Sequence, residues 1–178
     1  TSKNPNPAGV IFKLVIEYDP MLRVVAIDIK PTSCPNPLNT NNRGVVSVAI
    51  LGAEELDVTT IDPASVKLLE GVNPLRWSYE DVASPYSGTP SSCYDCTTSG
   101  PDGYMDLVFK FDSQELVYAL GELSDEACVI MDLQGEYKEE FGGADFSGQD
   151  VVRILNKNSN PNKPDTENSN QKGRGRGR

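Results

Sequence analysis

The sequence predicts an all-β protein, an antiparallel β-sandwich with one short helix. Three features carry that expectation. Runs rich in Val, Ile and Phe recur at roughly 8–15-residue spacing, and Gly, Pro and Asn separate them. One stretch alone has helical spacing. No regular alternation of strand and helix is present to build a parallel sheet.

The elements follow in chain order. Residues 10–18 (VIFKLVIEY) are mostly β-branched and aromatic, and Asp19-Pro20 closes them. In residues 23–30, Val25, Ile27 and Ile29 alternate with Ala26, Asp28 and Lys30 before Pro31, the pattern of a half-buried strand. Residues 44–51 (GVVSVAIL) read as a more fully buried strand. Short strands at 56–60 and 66–69 flank an Asp62-Pro63 turn. Residues 106–111 (DLVFKF), 127–133 and 151–155 complete the set. The helix is expected over 113–123, where Leu116, Val117, Leu120 and Leu123 share a face. Asp112 or Ser113 caps it, and Gly121 lies near its end.

The 178 residues suit one domain with a real core, and no apolar run approaches the eighteen or so residues of a membrane span. Three regions are expected: a lead with an extra strand (1–22), the sandwich module (23–156) and a disordered polar, basic tail (157–178). The tail has no aromatic or branched aliphatic residue. It holds six basic residues and two acids, or +4, so a chain of net charge −10 leaves −14 on residues 1–156. An acidic body repels nucleic acid and anionic lipid and attracts divalent cations. With no histidine, catalytic triads, Cys-His pairs and imidazole-based zinc sites are all removed.

Four cysteines, an even number, fit two disulfides and an extracellular or cell-surface location. Cys93 and Cys96 lie in one loop and can close a small ring, which would leave Cys34 to pair with Cys128. A four-thiolate zinc site is the rival, but only one C-x-x-C knuckle is present. A thioredoxin-like role is weaker still, because no helical pattern follows that knuckle.

The candidate chemistry lies between Trp77 and Phe111. Asp102 and Asp106 flank Gly103 where a long loop enters a strand. Hard oxygen ligands on a glycine-turned loop suit calcium, which takes 6–8 oxygens in irregular geometry. The expected ligands are Asp102, the Tyr104 carbonyl and Asp106, with Glu80 or Asp81 closing the site. Glu80 paired with Asp106 could in principle hydrolyse glycosides, but no other catalytic group supports it, so the chain is read as non-enzymatic. Trp77, Tyr79, Tyr86 and Tyr94 could offer a platform to a surface polysaccharide.

Several motifs, in order, resemble a module recurrent in secreted and cell-surface proteins of bacteria and archaea. They are IDIKPTSCPNPLN (27–39), RGVVSVAILGAEELDVTTIDPASVKL (43–68), EDV (80–82), the acidic turn at 102–106 and GQDVV (148–152). That module opens with I-D-I-K-P-G-S and later carries an aspartate-rich turn and G-x-D-x-V. The resemblance implies an extracellular β-sandwich accessory module that binds calcium and lacks known catalysis. Asp102 and Asp106 carry over as ligands, and Glu80 and Asp81 more weakly. Thr32 stands for the usual Gly and Tyr104 for a frequent Asp, a loss that Asp95 in the cysteine-bearing insert could make good. The expected function is a calcium-binding module with a structural or adhesive role at the cell surface. The alternative is a self-assembling surface-layer or filament subunit that inserts residues 9–18 into a neighbour's sheet, although the favoured reading of that segment is an edge strand within its own domain.

Overall fold

The computed structural model describes residues 23–156. The strand expected at 10–18 and the tail lie outside them. Within them the chain forms two packed sheets and one helix, as the sequence predicts.

The alternating segment at 23–30 is not one strand. It divides into β1 (Arg23–Val24) and β2 (Ile27–Ile29), and the chain crosses from one sheet to the other at Val25 and Ala26. The Val25 amide still donates to Ser147 in the first sheet, while the Ala26 carbonyl accepts from Leu51 in the second. β3 (Pro37–Asn39) follows, then β4 (Val45–Ile50). The strand expected at 56–60 is instead a 3₁₀ turn, Val58–Thr60. The Asp57 carboxylate accepts from the Thr59 amide and hydroxyl, so the local cap wins over β propensity. β5 (Lys67–Leu68) is short, and β6 (Arg76–Glu80) leads to the long loop. β7 (Asp106–Asp112) runs directly into α1 (Ser113–Leu120). Asp112 caps α1 through the Gln114 and Glu115 amides, and Gly121, at φ 72°, ends it earlier than the apolar spacing implies. β8 (Cys128–Glu136) and β9 (Asp145–Leu155) form the longest pairing.

One sheet has the order β2-β4-β7-β6 and is antiparallel throughout. The other has the order β1-β9-β8-β5, with β3 also on β9; β1 and β3 run parallel to β9, so this sheet is mixed. The core lies between the sheets and includes Ile29, Val48, Ile50, Leu107, Phe109, Phe111, Met131, Leu133 and Phe146. Burying each such side chain contributes about 1.5–3 kcal/mol. A smaller cluster, Ala49, Leu51, Ala83 and Val108, lies on the outer face of the antiparallel sheet, where the loop after β6 folds back over it.

The two disulfides fasten that loop, but not in the expected pairing. Cys34 joins Cys96, and Cys93 joins Cys128. The two cysteines of the knuckle therefore serve different partners, and no small ring forms. Cys93 is held to the start of β8, and Cys96 to the turn between β2 and β3.

Candidate functional site

The acidic loop was the expected metal centre. Asp106 begins β7, and its carboxylate is fully buried. One oxygen accepts from the Gly52 amide at 2.9 Å, and the other from Val82 at 2.8 Å and Ala83 at 3.2 Å. Burial raises its pKa, and the three amides partly offset that. It fastens two loops to the strand. Asp81 turns both oxygens to the next bend, accepting from the Asp102 amide at 3.1 Å and the Gly103 amide at 2.9 Å. Asp102 accepts from Tyr104 at 3.1 Å, an Asx turn closed over Gly103 at φ 99°.

Of the remaining expected ligands, Glu80 stands opposite Asp106 in the β6–β7 pairing and Tyr104 follows Gly103 in the same bend, while Asp95 lies in the cysteine-bearing loop. Asp95 accepts from the Ser91 hydroxyl and the Ser91 and Ser92 amides, bonds that lower its pKa. Glu80, on β6, accepts from the Ser78 hydroxyl. The Tyr104 side chain is exposed. The fold thus links Asp81 with Asp102 through backbone amides, and it does not gather Glu80, Asp81, Asp95, Asp102, Tyr104 and Asp106 around one point. Among the described residues, no group of three or more acidic, cysteine or histidine side chains converges as a metal site. Of the aromatics, Trp77 and Tyr79 lie on β6, and Tyr86 and Tyr94 in the loop; all four are partly exposed.

A second constellation escaped the sequence reading. Asp28 stands opposite Ala49, which stands opposite Val108, so it heads a row on the outer face of the antiparallel sheet. Asp28 is 6% exposed, Asp150 on β9 4% and Asn36 after β2 0%. The Asp150 carboxylate crosses to the other sheet, accepting from the Ile29 amide at 2.6 Å and the Asn36 side-chain amide at 3.1 Å. Its other oxygen accepts from the Val151 amide at 2.7 Å. Asn36 also donates to the Val151 carbonyl.

Two oxygens in this corner receive nothing: Asp28 Oδ2 and Asn36 Oδ1. Burial, and then the charge of Asp150, push the Asp28 pKa up to about 7; the Thr32 amide counteracts this in part. Burial pushes Asp150 up to about 6. Lys30 turns its ammonium to the Pro37 carbonyl instead, and the ion pair among the described residues, Arg153 with Glu126, lies elsewhere. The available signal was Asp28 inside the apolar run IDI and Asp150 at the head of VV, where a charge is out of place unless it has a task.

No family model matches the chain, and no curated protein matches it. One similar solved structure is AggA, the major subunit of aggregative adherence fimbriae type I from Escherichia coli. It is 9% identical, over 74% of this chain and 93% of that one, with a TM-score of 0.26. A likeness at that score carries no argument about fold or function. Among the described residues, no helix is long and apolar enough to cross a membrane.

Proposed function

We propose that this chain is a non-catalytic structural module of the cell exterior that joins other copies of itself by strand addition, with calcium as a stabilising ion. The two disulfides support an oxidising location. The observation that carries the assembly reading is the edge strand β6. It pairs with β7 on one side, and among the described residues no strand pairs with the other. Trp77 and Tyr79 stand opposite Phe109 and Leu107, on the face that makes the core, yet they are 47% and 40% exposed while their partners are 0%. Leu75 continues the stripe and is also exposed. An open edge with an uncovered apolar face is a template for another strand.

The occupant is the segment at residues 10–18 of a second copy. Laid antiparallel with Lys13 opposite Glu80, it places Glu17 opposite Arg76. Leu14 then lies beside Tyr79, Ile16 beside Trp77 and Tyr18 beside Leu75. Both charge pairs are opposite in sign, and the apolar stripes coincide. Reach favours a second copy. A strand beyond β6 lies four strand spacings, about 19 Å, from the β2 edge and one intersheet spacing, about 10 Å, from β1, or about 21 Å in all. The five steps from Tyr18 to Arg23 reach about 17 Å at full extension.

Sedimentation over a range of concentrations tests this. The full chain should form larger species as concentration rises, and deletion of residues 1–18 should leave a monomer. Lys13→Glu should weaken association, and adding Glu80→Lys should restore it. A full chain that stays monomeric, or assembly that survives the deletion, ends the assembly reading. For calcium, melting with chelator and then with added calcium should separate the midpoints.

A further inference from the structure

We infer that Asp28, Asn36 and Asp150 form an inner site for one hard divalent cation, of which calcium is the natural probe. The inference rests on the calcium reading above and moves the ion from the exposed turn to the buried corner. Two acceptor oxygens, Asp28 Oδ2 and Asn36 Oδ1, are closed off from solvent and from every donor among the described residues. Native interiors rarely leave such groups unpaired, and those that remain call for a missing partner. Both lie at Asp150: Asn36 donates to its carboxylate, and Asp28 directly precedes Ile29, whose amide donates to the same oxygen.

The donor chemistry selects the ligand. Every available atom is a hard oxygen, and the two carboxylates match a divalent charge. The Asp150 carboxylate accepts three hydrogen bonds, and a carboxylate has about four lone-pair sites, so one direction stays open. Water would complete the shell. A cleft of about 450 Å³, lined by Val25, Ala26, Gly148 and Asp150 but not by Asp28 or Asn36, adjoins the Asp150 side of the corner. A cation there would tie β2 to β9, the strands through which the two sheets meet at this corner. The competing occupant is a proton held on Asp28.

Calorimetric titration of chelator-treated full chain with calcium chloride separates these outcomes. The inference expects one ion per chain, an affinity lowered at least tenfold by Asp28→Asn, and an affinity unchanged by Asp102→Asn. Binding that Asp102→Asn abolishes and Asp28→Asn spares overturns the site and leaves the calcium reading standing. No binding at millimolar calcium overturns both, and a higher melting midpoint for Asp28→Asn at pH 7.5 would then assign the corner to a proton. Gadolinium broadening of amide resonances needs no variant. Broadening centred on the Ile29 and Val151 amides supports the inner site, and broadening centred on Gly103 and Tyr104 overturns it.

Discussion

Two groups of carboxylates sit on this sandwich, and the fold treats them in opposite ways. At the acidic loop the chain supplies its own donors: Asp106 accepts from three amides, Asp81 from two and Asp102 from one. In the buried corner, two of the acceptor oxygens of Asp28 and Asn36 have none. The loop was the more conspicuous group in the sequence because two of its acids, Asp102 and Asp106, flank a glycine at close spacing. Only Asp102 is satisfied locally; Asp81 and Asp106 are satisfied because the long loop folds back and brings the amides of both its ends, and Gly52, together. At the corner, Asp150 takes the amide of Ile29, 121 positions away, at a sheet-to-sheet junction where neither strand has spare amides for both acids.

Breaking the staples should cost most. Replacing Cys93 and Cys128 together by serine opens a link between residues 35 apart and should lower stability by about 2–5 kcal/mol in urea. The same assay with reductant should show a larger loss in the parent chain, because it opens Cys34–Cys96 as well. Next comes Asp106→Ala, which strands the amides of Gly52, Val82 and Ala83 and should cost about 3 kcal/mol or more. Asp106→Asn keeps an acceptor and should cost less; equal losses would mean that the charge, not the amide acceptance, is what matters.

The pH dependence of the metal-free chain sharpens the contrast. Asp28, at about 7, and Asp150, at about 6, are raised above the ordinary 3.8, mainly by burial. The folded state therefore holds protons that the unfolded chain has released between about pH 4 and 7. Stability from this corner should fall as pH rises through that window, by on the order of a few kcal/mol. Urea midpoints at pH 5 and 8 in chelator check this, and Asp28→Asn should flatten the difference. Asp95 has the opposite sign: hydrogen bonds from Ser91 and Ser92 lower its pKa, so its contribution is lost as pH falls below about 4. The smallest effect belongs to Asp102→Ala, which frees one exposed amide and should stay within about 0.5 kcal/mol.

Much of the architecture was legible because it follows from side-chain periodicity. The alternation in DLVFKF gave β7, and the cap Asp112 with Gly121 gave α1. What escaped was set by contacts. The expected strand at 151–155 begins six residues earlier, at Asp145, through a polar stretch with Gly148 in it. There an added Cβ would lie 2.7 Å from Ile27 Cγ2 and 2.8 Å from the Val25 carbonyl, so the glycine marks close packing and not a break. β6 escaped because RWSYE offers two aromatics in a short, otherwise polar stretch with no branched aliphatic residue, and β3 because it starts at a proline.

The sequence by itself determined the all-β class, the helix and the chemistry on offer: acids without histidine, and four cysteines. These depend on composition and short-range pattern, which the chain states directly. The tertiary structure alone decided which cysteines pair, which carboxylates receive amides and which oxygens are left bare. Those outcomes depend on which distant strands become neighbours, and packing two sheets, not local preference, makes that choice.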